Sequence, residues 1–115
     1  TPTPAALIAD VTAQVLGQRD ALQSGTWHLT AAGETTWHGF AEAIFEEALA
    51  AGLLARAPRV LPITTAEYPT PAKRPAYSRL DVSRLQHDFS VALPQWRDGL
   101  RRVIGELAAA QPKPA

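Results

Sequence analysis

Apolar residues at Ala6, Leu7, Ala9, Val11, Ala13, Val15 and Leu16 mostly share one face of a helix, which predicts one from about residue 5 to residue 19. Pro4 stands just ahead of it, where a missing N–H costs nothing. Ser24-Gly25 breaks the pattern, and Thr26-Trp27-His28-Leu29-Thr30 is short, β-branched and aromatic, the signature of a strand. Ala31-Ala32-Gly33-Glu34 turns the chain out of it. Thr35 or Thr36 then caps a second helix running to about residue 51. Its broad apolar face holds Phe40, Ala41, Ile44, Phe45, Ala48 and Leu49, with Glu42, Glu46 and Glu47 opposite. Gly52 is placed to stop it.

Val60-Leu61-Pro62-Ile63-Thr64 reads as a second strand, confined to an edge because Pro62 has no N–H to give a ladder. Tyr68-Pro69-Thr70-Pro71-Ala72-Lys73-Arg74-Pro75 is different in kind. Its three prolines in seven residues fix φ and remove donors, so it should form a stiff, extended loop. Asp81 can cap a short helix over 82–87. Leu93-Pro94 opens a last helix with Trp96, Leu100, Val103, Ile104 and Leu107 on its apolar face, and 111–115 form a frayed tail. The order predicts an α/β fold: a small helix-rich lobe with a minimal sheet of about two short strands. Two short strands need helices packed across them, so such a piece fits as an appendage to a larger α/β body.

The 115 residues, 46% of them hydrophobic, suffice for one core. Eleven basic residues balance eleven acidic ones, which argues against a nucleic-acid partner. No apolar run approaches the roughly 18 residues of a membrane span, and no secretory leader pattern opens the chain. The chain has no cysteine, which excludes disulfides, thiolate metal sites and thiol nucleophiles and fits a cytoplasmic protein. It begins with Thr1 and contains no Met, as expected of a piece of a longer chain.

Equipment for catalysis is missing from the pattern. His28, His38 and His87 fall on three different elements without metal-ligand spacing. No nucleophile elbow, Gly-x-Gly-x-x-Gly or Walker sequence occurs. Chemistry concentrates in 68–80, where Lys73, Arg74 and Arg79 alternate with Tyr68 and Tyr77. Arginine offers a planar fork of donors for phosphate oxygens, aromatics can stack on a base or sugar, and proline stiffening lowers the entropy lost on binding. On composition alone a solvated basic loop crossing the surface explains the same residues, and more simply.

Three stretches, in order, resemble a known family. Gly25-Thr26-Trp27-His28-Leu29 followed by Gly33-Glu34-Thr35-Thr36-Trp37-His38 is similar to the GxYHLxxxGxTTWxxYA stretch of bacterial dTDP-4-dehydrorhamnose reductases. Tyr68 to Pro75, then Ser78-Arg79-Leu80, resembles their YPTPARRPxxSRL loop. Leu93-Pro94-Gln95-Trp96-Arg97-Asp98-Gly99-Leu100 resembles their closing LPxWxxGL helix. Pro2-Thr3 and Leu7-Ile8-Ala9-Asp10 suit the start of the same lobe.

The resemblance implies an extended short-chain dehydrogenase. Such an enzyme reduces the C4 ketone of dTDP-6-deoxy-L-lyxo-4-hexulose with NADPH or NADH to give dTDP-L-rhamnose. The cofactor and a Tyr-x-x-x-Lys pair belong to an N-terminal Rossmann domain, the lobe's implied partner, so residues 1–115 would be the substrate-binding portion, inactive alone. Tyr68 and Lys73 are spaced five apart in a proline loop and are not that pair. By resemblance Arg74 and Arg79, with Ser78 in a lesser role, approach the dTDP-sugar. Trp37 either contacts it or anchors its helix, and Trp27 and Trp96 belong to the core.

Some members carry magnesium at a dimer interface. Glu106 matches one of their glutamates, but Ala6 replaces the other, which argues against a magnesium-bridged dimer here. A homo-oligomer remains open, because an apolar face left bare favours self-association. The alternative to the enzyme reading is a reductase-like regulatory or binding subunit without catalysis.

Overall fold

In a computed structural model, residues 1–18 and 24–111 are described. Four α-helices follow in order: α1 (Ala5–Gly17), α2 (Trp37–Ala50), α3 (Ser83–Phe89) and α4 (Trp96–Ala110). A single 3-10 turn, Thr65–Glu67, interrupts the long segment between α2 and α3. Residue 19, the predicted end of α1, and residues 112–115 of the predicted tail lie outside the described residues.

The local signals explain where the helices start and stop. Thr36 caps α2 by accepting from the Gly39 N–H at 3.0 Å. At the other end Gly52 is left-handed (φ 77°), and two reversed hydrogen bonds close the helix: Gly52 N–H to the Leu49 carbonyl and Leu53 N–H to the Ala48 carbonyl. Asp81 accepts from the Ser83 N–H at 2.9 Å, so α3 begins one residue later than predicted and runs two further, to Phe89.

Both predicted strands fail to form among the described residues, so the sheet of the predicted α/β fold is absent. What exists instead is one isolated parallel bridge, Ala32 to Gln95. Residues 26–30 join no ladder, and side chains of α3 hold them instead. The Trp27 indole donates to Asp88 at 2.9 Å, the Arg84 guanidinium lies 4.5 Å from the Trp27 ring centre, and Arg84 donates to the Thr26 carbonyl. Residues 60–64 have no neighbouring strand, and Pro62 cannot donate to one. His38 Nε2 meets the Val60 carbonyl at 3.1 Å, and Thr64 and Glu67 form a reciprocal cap on the 3-10 turn.

Two small cores result. The first gathers Leu7 and Val11 of α1, Ala31, Leu85 and Phe89 of α3, and Val91, with Trp27 meeting Phe89 edge-on at 5.5 Å. The second joins Ala43 of α2 to Leu100 and Ile104 of α4, flanked by Phe40, Ile44 and Leu53. Ala43 was not on the predicted face of α2, whereas the predicted Leu49 is exposed. Trp96 packs against both cores and is the apolar link between them.

Polar contacts reinforce the α2–α4 seam. Arg97 and Arg101 both donate to Glu47, at 2.8 and 3.1 Å, and Arg97 also pairs with Glu46. The hydrogen bond from Arg97, more than the neighbouring charges, holds the Glu47 carboxyl below its ordinary value of 4.5.

Gly99 lets α1 approach α4. A Cβ there would lie 3.0 Å from the Pro4 ring, so Gly99→Leu should force Pro4 away and cost about 1–3 kcal/mol in urea unfolding. An unchanged midpoint would show that the Pro4 contact is dispensable. Because the folded Glu47 titrates below its free value, its contribution is present at neutral pH and is lost as pH falls through the lowered value. Glu47→Gln should therefore destabilise the protein at pH 7, and the gap to wild type should close at acid pH. A gap independent of pH would contradict this.

Candidate functional site

The segment from residue 61 to 81 has every residue exposed, although it carries Leu61, Ile63, Tyr68, Tyr77 and Leu80. Exposed apolar side chains in that number mark a surface meant to meet something. Its prolines and the 3-10 turn shape it locally. Among the described residues its shape owes nothing to a core beneath it. The radius of gyration reflects this: 17.5 Å, against about 13 Å for a compact chain of this length.

Of the predicted site residues, Arg74 and Ser78 are exposed on this segment, and neither makes a side-chain hydrogen bond or ion pair among the described residues. Lys73 is likewise unpaired. Arg79 differs, because its Nη1 lies 3.4 Å from Glu34 Oε2. The Tyr77 hydroxyl donates to the same oxygen at 3.5 Å. Trp37, in the first turn of α2, is 83% exposed, with its ring tilted against Phe40 at 6.3 Å between centres. Trp27 and Trp96 pack against the cores.

An open groove of about 400 Å³ runs along Tyr77, Arg79, Leu80, Asp81, Val82, Ser83 and Gln86. Hydrogen bonding to Ser83, with a smaller contribution from the Arg79 charge, keeps Asp81 ionised by lowering its pKa. The one carboxylate paired with Arg79 among the described residues is that of Glu34, and the pair is exposed and weak. The groove brings together Arg79 and Tyr77 but not Arg74, Ser78 or Trp37.

A second hollow, of about 140 Å³, lies between Pro2, Pro4, Phe40, Trp96 and Val103. It is almost wholly apolar and offers no charged group to a ligand.

The contacts of Glu34 with Arg79 and Tyr77 are not visible in the sequence. Glu34 stands inside a recognised stretch, but nothing in its spacing announces an ion pair with a residue 45 positions later. Glu106 offers no cation site: Arg102 lies 3.4 Å from its carboxylate, and Ala6 supplies no donor, so this donor set does not fit a divalent ion. Among the described residues no group of three or more His, Asp or Glu side chains is placed to hold a metal. No helix there is long and apolar enough to cross a membrane.

Comparison with known proteins matches the sequence to a family. The dTDP-4-dehydrorhamnose reductase of Escherichia coli (strain K12) is 42% identical over 110 residues, 92% of this chain and 36% of that protein. The enzyme of the same name from Burkholderia thailandensis is 42% identical over 114 residues, 92% of this chain and 38% of its own. A probable dTDP-4,6-dihydroxy-2-methyloxan-3-one 4-ketoreductase of Streptomyces antibioticus is 37% identical over 91 residues, 78% of this chain. The chain spans little more than a third of the length of the curated reductases it matches. The model of the RmlD substrate binding domain matches residues 1–109, and the chain belongs to that family.

Proposed function

We propose that residues 1–115 form the dTDP-sugar-binding lobe of a dTDP-4-dehydrorhamnose reductase, appended to an N-terminal Rossmann domain. In this reading the whole enzyme reduces the C4 ketone of dTDP-6-deoxy-L-lyxo-4-hexulose to dTDP-L-rhamnose. The observation that carries it is the exposed segment 61–81, basic and aromatic, without a core behind it, in a chain of the substrate-binding family.

The division of labour follows from the residues present. In this reading NADPH or NADH sits on the N-terminal Rossmann domain, whose residues supply the proton while the nicotinamide supplies the hydride. This lobe binds and orients. Arg74, whose guanidinium is unpaired, is the leading contact for the diphosphate. Arg79 and Ser78 donate to the remaining polar atoms of the nucleotide-sugar, and the open face of Trp37 offers a stacking surface. Fixing the nucleotide at one end holds the ketone at the other within reach of the hydride donor, and such orientation contributes several powers of ten to a rate.

The leading test is Arg74→Ala in the full-length enzyme. Loss of a charge-assisted hydrogen bond to phosphate, about 1.5–3 kcal/mol, should raise KM for the dTDP-sugar roughly tenfold or more. Unchanged steady-state kinetics would remove Arg74 from the site.

A further inference from the structure

We propose that Glu34 is a positioning residue for the dTDP-sugar, acting through Arg79; this rests on the substrate-binding reading above. Glu34 occupies the free position of the Gly-x-Thr-Thr-Trp stretch, so its role would belong to this chain rather than to the family pattern. Its backbone is fixed. The preceding residues are tied to the start of α4 by Ala32 N–H to the Pro94 carbonyl (2.8 Å) and Trp96 N–H to the Ala32 carbonyl (3.0 Å). The Thr1 hydroxyl adds a hydrogen bond to the Gly33 carbonyl at 2.7 Å. Two residues on, Thr36 caps α2.

From this anchored turn the Glu34 carboxylate reaches two residues of the exposed segment, Tyr77 and Arg79, through one oxygen. Among the described residues, 68–80 makes no other side-chain contact of this kind with the body of the lobe; the Thr70 hydroxyl, for comparison, bonds only within the loop. Both contacts are long and both partners about half-exposed, at 45% for Arg79 and 58% for Glu34. Such a pair is weak and salt-screened. It steers rather than clamps, and a ligand can draw the guanidinium forward at little cost.

The geometry leaves Arg79 its binding capacity. Only Nη1 is engaged, and Nε and Nη2 have no partner among the described residues, so they can donate to a nucleotide-sugar in the groove. Narrowing the rotamers of a long, flexible side chain before binding lowers the entropy lost when the ligand arrives. Glu34 supplies that restriction to Arg79 and, through the shared oxygen, to the Tyr77 ring beside it.

The test is a double-substitution cycle in the full-length enzyme, reading KM and kcat for dTDP-6-deoxy-L-lyxo-4-hexulose. Glu34→Gln keeps size and removes charge, and it should raise KM about three- to tenfold with kcat moving less than KM. In an Arg79→Ala background the same substitution should have no further effect, because its target is gone. An equal rise in KM in both backgrounds would overturn the proposal by showing that Glu34 acts independently of Arg79. An unchanged or lowered KM for Glu34→Gln would also overturn it, the lowered value identifying Glu34 as a competitor of the ligand. If Arg79→Ala alone leaves KM unchanged, the proposal falls with Arg79, whereas the wider substrate-binding reading is judged separately by Arg74→Ala.

Discussion

The fold depends on the two hydrogen bonds between Ala32 and the Pro94–Trp96 segment. They take the place of a sheet. The bridge sets where α4 begins, and with it the position of Trp96, the side chain that touches both cores. On the other strand of the same bridge the chain passes directly into Glu34, the Thr36 cap and Trp37. One short backbone contact therefore aligns the packing of the lobe with the residues proposed to face the ligand. Two backbone bonds contribute only about 0.5–1.5 kcal/mol each, so the alignment persists because Trp96 and the Thr1 and Thr3 side chains surround it.

Thin cores have a functional consequence. Among the described residues ten buried apolar side chains support the helices, and none comes from residues 53–84. That stretch's large apolar side chains Leu61, Ile63, Tyr68, Tyr77 and Leu80 find no cover on the lobe among the described residues. Lys73 and Arg74 on it make no ion pair among the described residues. In a complete protein the same features suit a segment lying between two bodies, where its apolar side chains meet one surface and its cations meet a phosphorylated ligand. The balance of eleven basic against eleven acidic residues conceals this, because the acidic groups of the described residues pair or cap mostly elsewhere, with Glu46 and Glu47 on the α2–α4 seam, Asp10 on Arg102 and Asp88 beside Arg84.

Much of the architecture was legible because the signals were local. Helical periodicity, the Thr36 cap and the Gly52 stop placed α2 within a residue or so, and the helix after Leu93-Pro94 was equally plain. The strands were misjudged for a physical reason. A β-branched, aromatic run such as 26–30 records a tendency to be extended, whereas a sheet also needs a partner in register, which no short run can announce. Here Asp88 and Arg84 hold the run instead. The candidate site was half legible: the basic, proline-rich segment stands out by composition, but the pairing that divides Arg74 from Arg79 depends on Glu34, brought near only by the tertiary fold.

The most direct measurement is amide hydrogen exchange across residues 61–81 in the full-length protein, with and without dTDP-L-rhamnose. If the exposed segment is a ligand-binding surface, exchange should slow there and around Trp37 on addition of the nucleotide-sugar, and the α1–α3 core should change little. Exchange that is the same in 61–81 with saturating ligand would contradict the account and leave the segment a solvated crossing.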